Sequence, residues 1–411
     1  MKKENIVIIG SSVAAISAID TIRNKDKNIS ITVVTKEKNV SYSKPLISYV
    51  NLTDEQSYYR DKNYFKKNKI NLVFDEALSI KNNSVTLKSG KNLKFSKLLI
   101  VVGGKPIVPN NIKGIDGKNV FTLTNFEDAQ KIKVFSKNKK KAVIIGCGMI
   151  GIKAAEFLKE LGIKVTIVEL MNRPFASVLD EKSGKMIADE IKKNAELILN
   201  KSVVEINDKY CTLSTGEKIS CDFVICAIGV VPNLDIAKKS EIKTNRGIVV
   251  NSSMMTSNKN IYAAGDCVES FDILKKENRP LPIWPIAYKQ GSVAGNNLIG
   301  IKTQYEGGFV MNSVDVFGLP IITLGLSNEN IGEEIVIIDE KARKYKKAIV
   351  NDNKIVGVIL VGDISRAGIF TGLIKDGIDV SNFKKDLFNE KFGYIYVPKE
   401  SRSKETAPSE I

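Results

Sequence analysis

The chain contains one structural unit twice: a β-branched strand, a glycine turn and a helix, followed by a second strand. The first copy runs from Asn5 through Gly10 into an alanine-rich helix and on to a strand at 29–35. The second runs from Ala142 through Gly146 into a helix that Gly162 ends before a strand at 164–168. Such β-α-β units build parallel sheets. The duplication therefore predicts two Rossmann-like dinucleotide-binding domains.

The order of the later strands predicts that the second unit is inserted into the first. Each copy has a later strand that leads to a glycine, at 98–102 and at 223–228, and the first copy then resumes at 248–250 and 260–264. From about residue 303, short strands with turn residues and one helix predict a separate α+β domain. We expect an α/β fold whose first domain covers 1–111 and 237–302, whose inserted domain covers 112–236, and whose C-terminal α+β interface domain covers 303–398, before a polar tail at 399–411.

The residues that are missing exclude several classes of enzyme. There is no histidine, which excludes histidine triads, histidine-ligated zinc and imidazole proton relays. The five cysteines form no CxxC pair and match no iron–sulfur spacing, so we expect reduced, buried thiols and no metal site. Chemistry must come from a cofactor or from carboxylate, lysine, tyrosine or cysteine groups. No stretch approaches the roughly 20 apolar residues of a membrane helix, so we expect a soluble, cytoplasmic protein.

The chain is strongly basic. It has 62 lysines and arginines against 46 acidic residues, a net charge of +16. The lysines are spread along the chain, with one dense run at 137–141, which is typical of a lysine-covered surface. An acidic protein partner is the next interpretation. Nucleic acid and membranes are not expected as partners.

The second glycine turn matches a dinucleotide-binding motif. Gly146, Gly148 and Gly151 form GxGxxG between a strand and a helix. The spacing permits a tight turn, close approach to a pyrophosphate and packing of helix on strand. Glu169 lies 18 positions after Gly151, where an acid binds the adenosine ribose. A carboxylate there repels a 2′-phosphate, so NADH is favoured, although the nearby Arg173 keeps NADPH as an alternative.

The first glycine turn is less regular. It keeps Gly10, with Ser12 and Ala15 at the other two glycine positions, and the nearest candidate for its ribose acid is Glu37. Alone, this pattern fits a turn without a ligand as well as it fits a nucleotide site. Asp266 changes the interpretation, because it follows a strand-end glycine beside the predicted crevice. An acid there can accept a hydrogen bond from the ribityl chain of FAD, a polyol that NAD lacks.

These motifs, in their order along the chain, resemble the FAD-dependent pyridine nucleotide–disulfide oxidoreductase superfamily. The segment Tyr42–Ser48 is similar to a segment of NADH:rubredoxin oxidoreductases and of the flavin portion of nitrite reductases, as is 359–372 in the C-terminal domain. The resemblance implies a set of FAD-binding residues: Gly10, Ser12, Ala15, Glu37, Lys44, Pro45, Val102, Gly103, Gly265, Asp266, Trp284 and Pro285. It also implies NADH-binding residues: Gly146, Gly148, Met149, Ile150, Gly151, Glu169 and Gly229.

The chain departs from the family pattern at three places. Lys44 replaces the usual arginine near the flavin, and a solvated loop lysine is the alternative interpretation. Lys153 replaces a glutamate close to the nicotinamide; Glu156 lies on the same helical face and could pair with it. Lys44, Lys153 and Glu156 are the candidates for a role near the reacting rings, and no catalytic side chain is certain. The stretch 40–50 has serines where thiol-using members carry a redox cysteine, so a disulfide substrate is not expected.

The predicted function is hydride transfer from NADH to FAD, followed by electron transfer to an acceptor. Trp284 and Pro285 would form a wall beside the flavin, although a core tryptophan is the alternative for Trp284. An acidic iron–sulfur protein, rubredoxin or ferredoxin, suits the basic chain as acceptor. The alternatives are an electron-input subunit like that of nitrite reductase, a redox-sensing nucleic-acid binder like apoptosis-inducing factor, and oxygen as sole acceptor. A monomer and a homodimer both remain open.

Overall fold

The structure is a computed structural model that describes residues 5–48 and 54–398. The tail predicted at 399–411 lies outside the described residues. The helices are α1 Val13–Lys25, α2 Asp54–Ser57, α3 Tyr64–Lys67, α4 Phe126–Phe135, α5 Met149–Glu160, α6 Glu181–Lys192, α7 Asp235–Lys239, α8 Trp284–Leu298 and α9 Ala367–Asp376.

The strands are β1 Asn5–Ile9, β2 Ser30–Thr35, β3 Ile70–Phe74, β4 Ala77–Lys81, β5 Ser84–Leu87, β6 Asn92–Lys94, β7 Lys97–Ile100, β8 Gly104–Pro106, β9 Val120–Phe121, β10 Lys141–Ile145, β11 Lys164–Val168, β12 Glu196–Ile198 and β13 Val203–Ile206. They continue with β14 Tyr210–Leu213, β15 Lys218–Ser220, β16 Phe223–Cys226, β17 Val230–Pro232, β18 Ile248–Val249, β19 Ile261–Ala263, β20 Val268–Asp272, β21 Glu277–Pro280, β22 Met311–Val316, β23 Leu319–Gly325, β24 Glu333–Asp339, β25 Lys344–Asn351 and β26 Lys354–Val361.

The first repeat forms a parallel sheet in the order β19-β7-β1-β2-β3. Its central strand β1 is buried from Ile6 to Ile9, as expected for a strand covered on both faces. Helix α8 crosses α1 closely, because Gly291 and Gly295 of α8 meet the backbone of Ala14 and Ala18. A Cβ on Gly291 would lie 2.3 Å from the Ala14 carbonyl oxygen.

The second repeat forms a separate parallel sheet in the order β12-β11-β10-β16-β9. The chain leaves the first sheet after β7 and returns to it at β19, so the second domain is inserted into the first. The outgoing strand β8 and the returning strand β17 pair antiparallel and form the connection. This architecture confirms the predicted fold class, while the residue bounds of the domains stay a prediction.

The C-terminal part is an antiparallel sheet in the order β22-β23-β26-β25-β24. One face packs on the inserted domain, where Tyr345 and Ile359 join the same apolar cluster as Phe157 of α5. The other face packs on α9 through Phe370 and Leu373. The expected α+β domain is therefore present, with an apolar layer on each side of its sheet.

Some predicted element ends differ from the structure by a few residues. The strand predicted at 98–102 ends at Ile100, and that predicted at 223–228 ends at Cys226. In both cases the chain must leave the sheet for a glycine turn, with φ of +66° at Gly103 and +117° at Gly229. Helix α8 begins at Trp284, because Pro285 suits the first helical turn.

No helix in the described part of the chain is both long and apolar enough to span a membrane. The described residues also contain no group of three or more carboxylates or cysteines that could hold a metal ion.

Candidate cofactor-binding sites

The first glycine turn leaves no room for a side chain. Gly10 has a φ of +113°, and a Cβ there would lie 2.3 Å from the carbonyl oxygen of Val101. Helix α1 follows, and its N-cap Ser12 makes no side-chain capping bond. The first N–H groups of α1 therefore remain available to an anion. Ala15, at the third glycine position, is fully buried and packs the helix against the sheet.

An elongated groove runs from this turn to the start of α8. It consists of two cavities of about 140 Å³ and about 210 Å³ whose walls share Ser12, Tyr42, Lys44 and Val101. The first cavity is also lined by Gly10, Glu37 and Val102, among others. The second is also lined by Pro45, Gly103, Gly265, Asp266 and Trp284. A long, narrow groove of this kind fits an extended dinucleotide better than a compact ligand.

Tyr42 orients the carboxylate that follows β2. Its hydroxyl group donates to Glu37 Oε2 at 2.6 Å. Burial, followed by the neighbouring Glu37 carboxylate, raises the pKa of Tyr42, so its proton stays in this hydrogen bond. Glu37 therefore lies where the sequence places the ribose-binding acid of the first repeat.

Ser41 lies in the same wall of the groove, and sequence reasoning did not single it out as a site residue. It has a φ of +64°, and its buried hydroxyl group has no hydrogen-bond partner in the described structure. A buried, unpaired hydroxyl is costly unless a ligand completes it. Because neighbouring serines occur throughout this segment, no local pattern distinguished Ser41 from the others.

Asp266 and Lys44 face each other across the second cavity. Burial raises the pKa of Asp266, and the charge of Lys44 opposes that shift. Among the described residues other than its chain neighbours, Lys44 alone has an atom, Nζ, within 4 Å of a Cβ built on Gly103, at 3.8 Å. Lys44 is half-buried in the groove wall. This position excludes the alternative that Lys44 is a freely solvated loop lysine.

Helix α8 holds the glycine–aspartate turn in place. The N–H group of Gly265 donates to Gln290 Oε1 at 2.8 Å, and Gln290 Nε2 donates to Ser270 Oγ at 2.9 Å. Both bonds are buried. The position of Asp266, one residue later, is therefore determined by a side chain of α8 and not by the turn alone.

Trp284 is not a core tryptophan. It is 37% exposed and lines the second cavity at the start of α8. Tyr59 contacts its ring edge to face with centroids 5.7 Å apart, and Tyr288 stacks on it at 6.1 Å. Tyr59 has a buried hydroxyl group without a hydrogen-bond partner in the described structure. Three aromatic rings therefore cluster at the start of α8, and Trp284 of this cluster lines the cavity.

The second glycine turn has the geometry expected from its motif. Gly146 has a φ of +102° and approaches the carbonyl oxygen of Ala227, which would be 2.7 Å from a Cβ. A Cβ on Gly151 would lie 2.1 Å from the Gly146 carbonyl oxygen, so helix and strand meet there. At Gly148 an added Cβ meets nothing within 4 Å. That open space lies at the N-terminus of α5, where a pyrophosphate would bind.

Glu169, directly after β11, is held by the turn itself. Its Oε2 accepts the Cys147 N–H at 2.6 Å, and its Oε1 accepts the Met171 N–H at 2.9 Å. Arg173, which left NADPH open, instead donates to the Leu179 carbonyl oxygen at 3.0 Å. Arg173 is not among the described residues that line the cavity at Glu169. The predicted preference for NADH is therefore consistent with this geometry.

A cavity of about 790 Å³ surrounds this second turn. Its walls include all but one of the predicted NADH-binding residues: Gly146, Gly148, Met149, Ile150, Glu169 and Gly229. Gly151 is used instead for the contact of helix with strand. At its far end the cavity reaches Asp266 and Pro282, which also line the second cavity of the groove. The two nucleotide-type sites therefore meet at one point.

Lys153 and Glu156 lie together on α5. The two side chains form the ion pair expected from their helical spacing, with Lys153 Nζ 2.6 Å from Glu156 Oε2. Glu156 Oε1 also accepts the N–H of Phe317 in the C-terminal domain at 2.7 Å. Neither residue is among those described as lining the 790 Å³ cavity. The pair therefore links α5 to the C-terminal domain.

All five cysteines are buried and unbridged, as expected. None of them is among the described residues that line the groove. Cys147 lines the NADH-type cavity through the glycine turn, and burial raises the pKa of its thiol. The groove therefore offers no thiol from the described residues to accept electrons.

Comparison with known proteins agrees with this geometry. The model of the pyridine nucleotide-disulphide oxidoreductase family matches residues 4–291. The chain belongs to this family. A second model, the rubredoxin NAD+ reductase C-terminal domain, matches residues 311–378.

Two relatives, one of them with a solved structure, illustrate the range of the family. The chain is 33% identical over 371 residues to NADH-rubredoxin oxidoreductase of Clostridium acetobutylicum, covering 89% of this chain and 93% of that protein. It is 30% identical over 400 residues to nitrite reductase [NAD(P)H] of Bacillus subtilis, covering 94% of this chain but only 49% of that protein. Among solved structures, NADH:rubredoxin oxidoreductase from Clostridium acetobutylicum matches with a TM-score of 0.77 and 31% identity, covering 92% of this chain and 97% of that chain.

Membership of the family confirms the predicted class of enzyme, an NADH-dependent oxidoreductase, and its cofactors, FAD and NADH. The groove fits FAD, because it combines an uncapped helix N-terminus, an orphaned serine hydroxyl and an acid beside a strand-end glycine. The relatives differ in length and in the acceptor that their names give, so these matches establish the enzyme class and the cofactors but not the electron acceptor.

Proposed function

We propose that the protein passes hydride from NADH to FAD and then delivers electrons to a small acidic iron–sulfur protein such as rubredoxin or ferredoxin. The observation that carries this proposal is the shared wall of Asp266 and Pro282 between the groove and the 790 Å³ cavity. Two extended nucleotides in these sites would bring their reactive rings to that point. The flavin would supply the chemistry, since it can take a hydride and release electrons singly.

In the groove, the chain's own groups would bind and orient FAD. The N-terminus of α1 at Ser12 would bind the pyrophosphate, and Glu37 would accept hydrogen bonds from the adenosine ribose. Asp266 would accept from the ribityl chain, with Lys44 compensating its charge. Trp284 and its aromatic neighbours would exclude water from one side of the flavin.

In the larger cavity, the residues would position NADH. The N-terminus of α5 at Gly148 would bind the pyrophosphate, and Glu169 would bind the ribose hydroxyl groups while repelling a 2′-phosphate. Pro282 and Gly229 would border the nicotinamide end. No side-chain base is needed for hydride transfer, so the absence of histidine is compatible with the reaction.

Two features support an iron–sulfur acceptor. The described groove walls contain no cysteine, so a protein disulfide is not expected to take the electrons onward. The net charge of +16 favours an acidic partner, because opposite charge accelerates docking. The match of 311–378 to a rubredoxin NAD+ reductase C-terminal domain points the same way.

The hydride step is tested by mixing the purified, flavin-loaded protein with NADH under anaerobic conditions. We expect rapid bleaching of the flavin absorbance with NADH and slower bleaching with NADPH. A flavin that remains oxidised would overturn the first half of the proposal.

The acceptor is tested by comparing rubredoxin, ferredoxin and oxygen at equal concentration, with free FAD as the control for unspecific reduction. We expect an iron–sulfur protein to be reduced faster than by free FAD, with a rate that falls as ionic strength rises. Equal rates for protein and free FAD would exclude this acceptor class.

A second candidate is an electron-input subunit of a larger reductase. The observation that favours it is length: the chain spans about half of the nitrite reductase it resembles. This candidate predicts co-purification with an iron–sulfur or haem partner and poor reduction of free rubredoxin.

A further inference from the structure

Two cysteines of the inserted domain lie in contact, although nothing in the proposed reaction uses them. Cys211 Sγ and Cys221 Sγ are 3.3 Å apart, and both side chains are buried. Cys211 belongs to β14 and pairs with Ile219 of β15; Cys221 follows two positions later and so shares its face of the sheet. The thiols of Cys226 and Cys267 behave differently, since each donates to a backbone carbonyl oxygen.

We propose that Cys211 and Cys221 form a reversible disulfide when the protein meets a small hydroperoxide, and that this site modulates the NADH-binding half of the enzyme. The sulfurs must move closer by only about 1.3 Å to reach the usual S–S bond length of about 2.05 Å. Strand β15 is an edge of its three-stranded sheet and, within the described residues, pairs only with β14. Local opening of such an edge admits a small oxidant without global unfolding.

The sulfur–sulfur contact also prepares one thiol for the reaction. The contact between the two sulfurs, in which either thiol can be the donor, lowers the pKa of Cys221 and, together with burial, raises that of Cys211. Cys221 also lies directly after the edge strand β15, so we assign it as the nucleophile, since the thiolate is the reactive form. Its sulfur attacks one peroxide oxygen, the O–O bond breaks, and water or an alcohol leaves as sulfenic acid forms on Cys221.

The second step closes the disulfide. The Cys211 sulfur attacks the Cys221 sulfur, the S–O bond breaks, and hydroxide leaves as water with the proton of the Cys211 thiol. The two sulfurs lose two electrons in total, and the hydroperoxide gains them. An external dithiol reverses the reaction by thiol–disulfide exchange.

The position of the pair connects it to the cofactor site. Cys211 and Cys221 pack in one apolar cluster with Ile112, Ile145 and Val203. Those three residues also line the 790 Å³ cavity. A bond that draws β15 toward β14 therefore acts on the back of the wall that holds NADH. This kinetic consequence rests on the proposed function, whereas disulfide formation itself does not.

The covalent part is tested on the flavin-loaded, full-length protein with hydrogen peroxide. After quenching and alkylation in denaturant, we expect two of the five free thiols to be lost and a 211–221 linked peptide lighter by two hydrogens. Dithiothreitol should restore all the thiols. Unchanged thiols, or over-oxidised Cys221 without a link, would overturn the proposal. This measurement on the unmodified sequence needs no variant.

Variants sharpen the result. Cys211→Ser and Cys221→Ser should each abolish the link, whereas Cys226→Ser, a matched buried cysteine outside the pair, should keep it.

For the oxidised protein we expect a KM for NADH raised about threefold with kcat unchanged. If the disulfide forms but the KM for NADH does not change, disulfide formation stands and the proposed effect on NADH binding is overturned. Failure of NADH to reduce the flavin in the untreated protein would instead overturn the proposed function.

Discussion

The carboxylate of Glu169 accepts a hydrogen bond from the backbone N–H of Cys147 at 2.6 Å, which joins the end of β11 to the glycine turn before α5. The same carboxylate accepts the N–H of Met171. Its two oxygens are therefore oriented before any ligand arrives. A preorganised acceptor loses little side-chain entropy on binding, which suits a group that selects between two cofactors.

Glu169→Gln is expected to weaken discrimination between NADH and NADPH. The amide keeps one acceptor oxygen but loses the charge that repels a 2′-phosphate, and a hydrogen bond to a charged group is worth about 1.5–3 kcal/mol. The value of kcat/KM for NADH should fall about 10-fold or more, while that for NADPH should rise. Glu160→Gln, at the exposed end of the adjacent helix, is the control and should change neither value. A variant that keeps its full preference for NADH would contradict the role of Glu169.

Gly148→Val and Gly151→Val are expected to fail in different ways. The space at Gly148 is open and its backbone is extended, so valine should leave the melting temperature nearly unchanged while it blocks the pyrophosphate. At Gly151 the added atoms meet the Gly146 carbonyl oxygen, 2.1 Å from the Cβ position, and the domain should be destabilised. Calorimetry and NADH titration together separate the two outcomes. Normal NADH binding by the stable Gly148 variant would exclude this loop as the pyrophosphate site.

Asp266→Asn is expected to stabilise the flavin-free protein while weakening its hold on FAD. Burial raises the pKa of Asp266, so in the folded state the ionised form is disfavoured. The protonated form of Asp266 contributes stability that is fully present below the pKa that Asp266 has in the unfolded state. This contribution is lost as pH rises through the higher pKa that Asp266 has in the folded state. The variant should therefore melt higher than the unsubstituted apoprotein at neutral pH, and the difference should vanish in acid. Thermal melts across pH, with FAD affinity measured in parallel, check both halves.

Asn328→Ala is expected to weaken NADH binding from a distance. Its side chain donates to the Ala176 carbonyl oxygen at 2.9 Å, and Ser327 donates to that of Val178 at 2.8 Å. Ala176 and Val178 both line the NADH cavity, so the C-terminal domain anchors its wall. KM for NADH should rise about 3-fold to 10-fold, as loss of about 1 kcal/mol implies, with kcat retained. Asn330→Ala, an exposed residue of the same loop, should behave like the unsubstituted protein.

Much of the fold follows from local sequence patterns. The paired strand–glycine–helix units, the strand at 164–168 and the short strands after residue 303 all appear where the sequence predicts them. These elements can be predicted because the pattern of apolar residues and the glycine turns that form them involve only residues a few positions apart in the sequence. The errors lie at element ends, such as Ile100 and Cys226, where the need to leave the sheet overrides strand propensity.

The sequence by itself determined that two dinucleotide-type units exist, that histidine chemistry is absent, and that Gly146, Gly148 and Glu169 form one site. Only the tertiary structure decided which distant residues meet. It placed Asp266 and Pro282 in the walls of both cavities, brought Glu156 to the N–H group of Phe317, and set Cys211 against Cys221. The physical reason is that these contacts depend on how sheets and helices pack across long separations in the chain, whereas spacing along the sequence reports only on residues within one element or turn.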